Sequence, residues 1–254
     1  MKYLLYLVLL SSYSVAYSQQ QLPQLLYIKD SSVAVTMIAP VGTYSMPVGI
    51  LAKRFGNFWG AGLEIQHKTK TRWVYGGGIV FNFGNTTNEG NILRNIGTAG
   101  GPLVTQDGSL QQPLFFMRGT TFTSNIGYLH SFGEHSKNSG LFTTFSVGYI
   151  RHKILIDQQK YSFPSLQGNL INGYDRLTAG AVFKQFAGYL FADPKKYVNF
   201  YIGVELAQGF TKSLRGFNYD TALYDNKIRT DMYIGLKLGW YIPIYQSTTS
   251  DYFR

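Results

Sequence analysis

Eight stretches of this 254-residue chain alternate their side chains with a period of two, and no other feature limits the fold as tightly. From Val198 to Leu206, Val198, Phe200, Ile202, Val204 and Leu206 take one face, while Asn199, Tyr201, Gly203 and Glu205 take the other. Nearer the C-terminus, Met232, Ile234, Leu236, Leu238, Trp240 and Ile242 alternate with Tyr233, Gly235, Lys237, Gly239 and Tyr241. Every second residue of a strand shares a face, whereas an amphipathic helix needs apolar spacings of three and four. The pattern predicts strands over 32–40, 56–68, 71–84, 114–130, 140–156, 174–191, 197–212 and 229–244, the first being short and weakly alternating.

Connections between these segments run long, short, long, short, long, short, long. The long ones are 41–55, 85–113, 157–173 and 213–228, and the short ones centre on Lys68–Arg72, Ser131–Ser139 and Ala192–Lys196. Long extracellular loops and tight periplasmic turns mark outer-membrane barrels. The expected fold is therefore all-β: an eight-stranded antiparallel transmembrane β-barrel with short periplasmic turns and long extracellular loops. It occupies 32–245 between a periplasmic segment at 19–31 and a periplasmic tail at 246–254. A soluble lipocalin-like barrel also has eight strands, but it would need a polar exterior. Here only 14% of residues are charged, against about 25% in a typical soluble domain, and the polar face is rich in glycine. Trp73, Tyr128, Tyr149, Tyr189, Trp240 and Tyr241 gather near strand ends, where aromatic girdles meet the membrane interfaces.

The N-terminus fits export. Lys2 precedes an apolar run from Leu4 to Leu10, and Ala16-Tyr17-Ser18 places small residues where a signal peptidase reads, so cleavage is expected after Ser18. The run is too short to span a bilayer as a retained helix, which takes about 20 apolar residues. The expected destination is the cell outer membrane. With no cysteine, a disulfide framework, a thiolate metal site, a catalytic thiol and an N-terminal lipidated cysteine are all excluded.

Lys and Arg number 23 against 13 Asp and Glu, and each charge falls into a compartment. Lys53, Arg54, Arg94, Arg118, Arg151, Lys153, Lys160, Arg176, Lys212, Arg215, Lys227 and Arg229 fall on the extracellular side, with Glu89, Asp107, Asp157, Asp175, Asp220, Asp225 and Asp231. Lys29, Lys68, Lys70, Arg72, Lys137, Lys195, Lys196 and Arg254 fall on the periplasmic side, with Asp30, Glu134, Asp193 and Asp251. Glu64, Lys184, Glu205 and Lys237 remain inside strands, all on the lumen side of the alternation. They are read first as a structural charge network, with Glu205 facing Lys237 across neighbouring strands. A proton or ion path is the second reading, and a wide pore does not fit an eight-stranded interior. Arg118, Arg151 and Lys153, just above the apolar band, are suited to phosphates of the outer-leaflet glycolipid. A solvated rim that aids solubility explains the same residues. Nucleic acid is not expected as a partner.

Catalytic chemistry is sparse. Of the four histidines, His67, His130 and His135 fall near periplasmic turns, and only His152 lies near a long loop. His152 with Asp157 or Asp175 is the one acid–imidazole grouping to be built, and a surface histidine without a partner is the favoured reading. There is no His-Glu-x-x-His zinc motif and no Walker loop. Gly76-Gly77-Gly78 lies within a strand, where glycine marks a bend or close packing. Asn85-Thr86-Thr87 matches a glycosylation pattern that is common by chance. No catalytic residue, metal or cofactor is expected.

Four motifs carry a family resemblance: Lys137-Asn138-Ser139-Gly140, Gly148-Tyr149-Ile150-Arg151-His152-Lys153-Ile154, Asn172-Gly173-Tyr174-Asp175-Arg176-Leu177-Thr178, and Gly235-Leu236-Lys237-Leu238-Gly239-Trp240-Tyr241-Ile242-Pro243-Ile244-Tyr245. In these the chain resembles the small outer-membrane β-barrel proteins of the Bacteroidota. The resemblance implies a non-enzymatic barrel, and some similar barrels serve as subunits of outer-membrane assembly or protein-secretion machines. One departure is the ending Asp251-Tyr252-Phe253-Arg254 in place of a terminal aromatic, which shifts recognition for insertion onto Trp240 to Tyr245. Protein partners in an outer-membrane complex, together with membrane lipid and glycolipid, are thus expected, with contacts through 85–113, 157–173 and 213–228. A small channel or transporter is the alternative, and a rim enzyme built on His152 comes third.

Overall fold

The computed structural model describes residues 32, 34–98, 101–131, 138–192 and 199–244. The expected signal peptide, the segments 19–31 and 245–254, His135, and the charges Lys29, Asp30, Glu134, Lys137, Asp193, Lys195, Lys196, Asp251 and Arg254 lie outside them. In chain order the strands are β1 (Val35–Gly49), β2 (Phe58–Lys68), β3 (Trp73–Gly84), β4 (Leu103–Val104), β5 (Leu110–Gln111), β6 (Phe115–His130), β7 (Gly140–Ile156), β8 (Thr178–Phe191), β9 (Asn199–Ser213), β10 (Phe217–Asn218), β11 (Leu223–Tyr224) and β12 (Arg229–Ile244). A short helix, α1, spans Ile50–Arg54. Eight of the strands close a barrel in the order β1-β12-β9-β8-β7-β6-β3-β2, each pairing antiparallel with both neighbours. The pairs β4-β5 and β10-β11 are small hairpins inside the long loops.

The barrel is inside out relative to a soluble one. Along β12, Asp231, Tyr233, Gly235, Lys237, Gly239 and Tyr241 point inward, while the residues between them face out. Leu236 is 57% exposed and its neighbour Lys237 only 8%. The same alternation puts Trp59, Leu63 and Ile65, Phe81 and Phe83, Phe122 and Ile126, Phe145 and Val147, and Ile202, Val204 and Leu206 on the outer wall. An apolar exterior around a polar, packed interior is the arrangement a bilayer selects, because closure satisfies every backbone group without an edge.

Seven expected strands lie within a few residues of their observed limits; the first does not. Residues 41–49 belong to β1 rather than to a long loop, and α1 follows directly. Gly42, Pro47 and Gly49 read as turn formers, and small polar side chains (Thr43, Ser45) fill the inward positions, which hid the alternation. Pro40 leaves a trace in the pairing. The ladder between β1 and β2 runs through it, but the ladder with β12 stops at Ile38 and resumes at Val41, since proline has no N–H to donate. At the other limit, Tyr174 to Leu177 precede β8 and belong to the loops. Of the expected girdle, Trp73, Tyr128, Tyr149, Tyr189 and Trp240 face outward, whereas Tyr241 is buried in the lumen.

Two apolar cores fill the interior. The lower contains Met37, Val74, Leu129, Phe142, Phe186, Leu190, Tyr201 and Tyr241. The upper joins Phe58, Ile150, Val182 and Tyr233 from the wall to Leu51, Phe55, Ile92, Leu103, Phe163, Leu166 and Tyr174 from the loops and α1. The long loops therefore fold back over the mouth as a packed cap.

Candidate functional site

Between the two cores lies a layer of charge. Glu64, Lys184, Glu205 and Lys237 project from β2, β8, β9 and β12, and all four are buried. Lys184 Nζ donates to Glu205 Oε1 at 2.8 Å, and Lys237 Nζ donates to Glu64 Oε1 at 2.5 Å while lying 3.5 Å from Glu205 Oε2. The structure thus brings the Glu205 and Lys237 side chains together, but each has a nearer partner. Uncharged groups extend the layer: the Tyr201 hydroxyl donates to Glu64 Oε2 at 2.8 Å, Gln66 Nε2 to the same oxygen at 2.9 Å, and the Tyr241 hydroxyl to Gln66 Oε1. Two acids and two bases cancel, as buried charges require.

Local sequence makes room for this layer. A Cβ added at Gly78 would lie 2.6 Å from Glu64 Cγ, and one at Gly239 would lie 2.3 Å from the Tyr201 ring. The run of three glycines therefore serves close packing beside the Glu64 stem rather than ligand binding.

Above the upper wall, a second set of charges locks the cap. Arg54 of α1 donates to Glu89 Oε1 at 2.8 Å and to Thr178 Oγ1 at 3.0 Å. Arg176 donates to Glu89 Oε2 at 3.0 Å and to Asp220 Oδ2 at 2.5 Å, tying three connections together. Arg215 grips both oxygens of Asp175, and Arg229 pairs with Asp225. Burial pushes the Glu89 carboxyl up, but Arg54 and Arg176 outweigh it and hold it below the ordinary 4.5. Neutral bonds reinforce the lock: Asn95 Nδ2 donates to the Tyr174 hydroxyl and the Tyr219 carbonyl, and the Gln106 N–H to the Ser162 carbonyl. Sequence reasoning placed all these charges outside the barrel and missed the pairing. All but one of these ion pairs join residues 35 to 87 apart in sequence, as in Arg54–Glu89 and Arg176–Glu89; Arg229 and Asp225 are four apart.

His152 is not a surface residue and meets neither Asp157 nor Asp175. It is 1% exposed, and its Nε2 lies 2.9 Å from Asp231 Oδ2, to which Thr211 Oγ1 also donates. Its inward position on β7 follows from the alternation, two residues above Ile150. Hydroxyl and imidazole share one carboxylate oxygen without touching each other, which is not a nucleophile-and-base arrangement. Lys68, assigned to the periplasmic side, is likewise buried at its end of the lumen and donates to Ser32 and Asn138. Among the described residues no cluster of three His, Cys, Asp or Glu side chains is grouped to hold a metal ion.

Arg118, Arg151 and Lys153 stand on the outer wall, on β6 and β7, well away from the lumen charges. Arg118 is directly opposite Lys153, and Arg151 opposite Thr120.

Scanned against protein-family models and against curated protein sequences, the chain matches none. Among solved structures it is similar to Ail, the attachment invasion locus protein of Yersinia pestis, at 11% identity over 82% of this chain and 99% of that one, with a TM-score of 0.42. Ail in complex with the heparin analogue sucrose octasulfate gives 10% identity, the same shares and a TM-score of 0.41. Neisserial surface protein A gives 6% identity over 82% of this chain and 96% of that one, with a TM-score of 0.42. Strand order, closure and inside-out polarity stand on pairing and burial alone.

Proposed function

We propose that the chain is a non-enzymatic integral β-barrel of the outer membrane, exported through a signal peptide cleaved after Ser18, and that it works through its cap and outer wall. The observation that carries this is the filled lumen. Glu64, Gln66, Lys184, Tyr201, Glu205, Lys237 and Tyr241 bond to one another across the barrel, and apolar cores lie above and below them. A plugged interior leaves only external surfaces for work.

The finer proposal is an accessory or structural subunit of an outer-membrane assembly or secretion complex, of the Bacteroidota-like family that the motifs resemble. It is supported by a cap that is rigidly locked yet presents apolar side chains to water. Leu223, Tyr224 and Ile228, around the β10-β11 hairpin, are 65%, 79% and 73% exposed. Exposed apolar clusters on an otherwise folded surface mark protein contacts. Copurification after mild detergent extraction tests this: a stoichiometric partner is expected, lost on Leu223→Ser/Tyr224→Ser, and elution of the barrel alone overturns the subunit reading. For the channel alternative, planar-bilayer recording is expected to be silent. Stepwise conductance altered by Lys237→Ala or Glu205→Ala would replace this proposal with a transport function.

A further inference from the structure

Among the described strands, the outer wall carries one cluster of charge, which the sealed lumen does not explain. On the upper part of β6, β7 and β9, four cations point outward: Arg118, Arg151, Lys153 and Lys212. They form a compact lattice. Arg118 faces Lys153 across the β6-β7 ladder, Thr120 faces Arg151 one outward position below, and Arg151 faces Ala179, which in turn faces Lys212. Ala179, the small residue between the two basic columns, is itself covered, at 5% exposed. Upper outward positions on the opposite arc are apolar instead: Met46 and Val48 on β1, Trp59 on β2 and Met232 on β12.

Like charges directly opposite on a sheet repel, so the Arg118–Lys153 pair costs stability unless a counter-charge is supplied. Among the described residues no carboxylate lies within ion-pair distance of any of the four, although the cap cations Arg54, Arg176, Arg215 and Arg229 are all paired. Asp157, the nearest acid along β7's outward face, caps the Gln159 N–H instead. Arg118 is held in place by the Phe116 ring, 5.2 Å from its guanidinium carbon, and by a bond to the Met117 carbonyl.

Depth identifies the counter-charge. The lower girdle pair Trp73–Tyr128 is level in register with Thr143 on β7, and Arg151 lies eight residues above it. At roughly 3.4 Å per residue and a tilt near 40°, that is about 21 Å along the membrane normal, close to the apolar band of about 25 Å. Phe122, Tyr149 and Phe210 form the outward row just beneath the cations. The four cations therefore sit where a bilayer's anionic groups begin.

We infer that Arg118, Arg151, Lys153 and Lys212, with the Thr120 hydroxyl, bind the phosphates of a phosphorylated glycolipid of the outer leaflet along one arc of the barrel. This rests on the membrane reading of the barrel. Two guanidinium groups and two ammonium groups match phosphate through charge-assisted bonds, and the aromatic row below receives the acyl chains.

The test is native mass spectrometry of the barrel in detergent micelles doped with bis-phosphorylated lipid A. Parallel arms contain dephosphorylated lipid A, phosphatidylglycerol or inorganic phosphate. The native chain is expected to retain bis-phosphorylated lipid A, and Arg118→Gln/Arg151→Gln/Lys153→Gln to need about tenfold more of it for equal occupancy. Lys53→Gln/Lys160→Gln/Lys227→Gln, which removes as much charge from α1 and the loops, is expected to match the native chain. Equal retention by both triple variants overturns the site, as does equal binding of the dephosphorylated lipid. Phosphatidylglycerol or free phosphate binding as tightly as lipid A overturns the glycolipid assignment. If the first triple variant does not assemble, Arg151→Gln and Lys212→Gln are measured singly, and native-like retention by both overturns the proposal. Failure of the native chain to insert into lipid vesicles refutes the membrane reading itself, a result separate from all of these.

Discussion

Lys237 has the most consequential side chain in the lumen, because it neutralises Glu64 and touches Glu205 at once. Lys237→Met leaves a buried carboxylate unpaired, a change that costs about 3–5 kcal/mol. Urea unfolding of the barrel in lipid vesicles is expected to show that loss, and Glu64→Gln/Lys237→Met to recover part of it. Gly239→Ala acts on the same layer sterically. Its Cβ would press on the Tyr201 ring, which holds Glu64, and overpacking of this kind costs about 1–3 kcal/mol in the same assay. The four charges were legible in the sequence because an alternating strand assigns each residue a side. The contribution of Gly239 was not, because it depends on a side chain brought in from β9, and no local pattern records which ring will cross the lumen.

At the scale of elements, the cap is a set of loops held by ion pairs over an apolar floor. Glu89 titrates below its ordinary 4.5, so its contribution is fully present above that value and is lost as the pH falls through the lowered folded value. The protection factors of amides at 85–98, each rate taken against the free-chain rate at the same pH, are accordingly expected to fall as the pH drops below 4.5, while those of β6 and β7 hold. Replacing 217–224 with a Gly-Ser linker removes Asp220 from Arg176 and the Tyr219 carbonyl from Asn95. Faster exchange at 92–96 and 171–176 is the expected result, with the barrel strands unchanged. Seven strands could be read from alternation because each repeats one rule over many residues. The upper half of β1 and the cap could not. In β1 small polar residues replace the inward apolar set, and the cap is held by single pairings between residues distant in sequence.

For the whole molecule, burying charge inside and apolar residues outside predicts a barrel that stays folded in cold detergent and unfolds on heating. The unheated protein is expected to migrate faster than the boiled one on a denaturing gel, with no such difference for Lys237→Met/Glu205→Ala/Glu64→Ala if the lumen layer holds the barrel together. The closed strand order was implied by the even strand number and the long–short rhythm of the connections, whereas the filled lumen depended on which side chains reach one another. The gap at Ala39–Pro40 has a consequence for assembly. The β1–β12 ladder joins the first and last strands, so it closes the longest stretch of chain and carries the greatest loop-closure entropy of the barrel's ladders. Interrupted by a proline, this seam is paired in two runs, one at Thr36–Ile38 and one from Val41 to Gly49, so two short zippers rather than one continuous one close the ring.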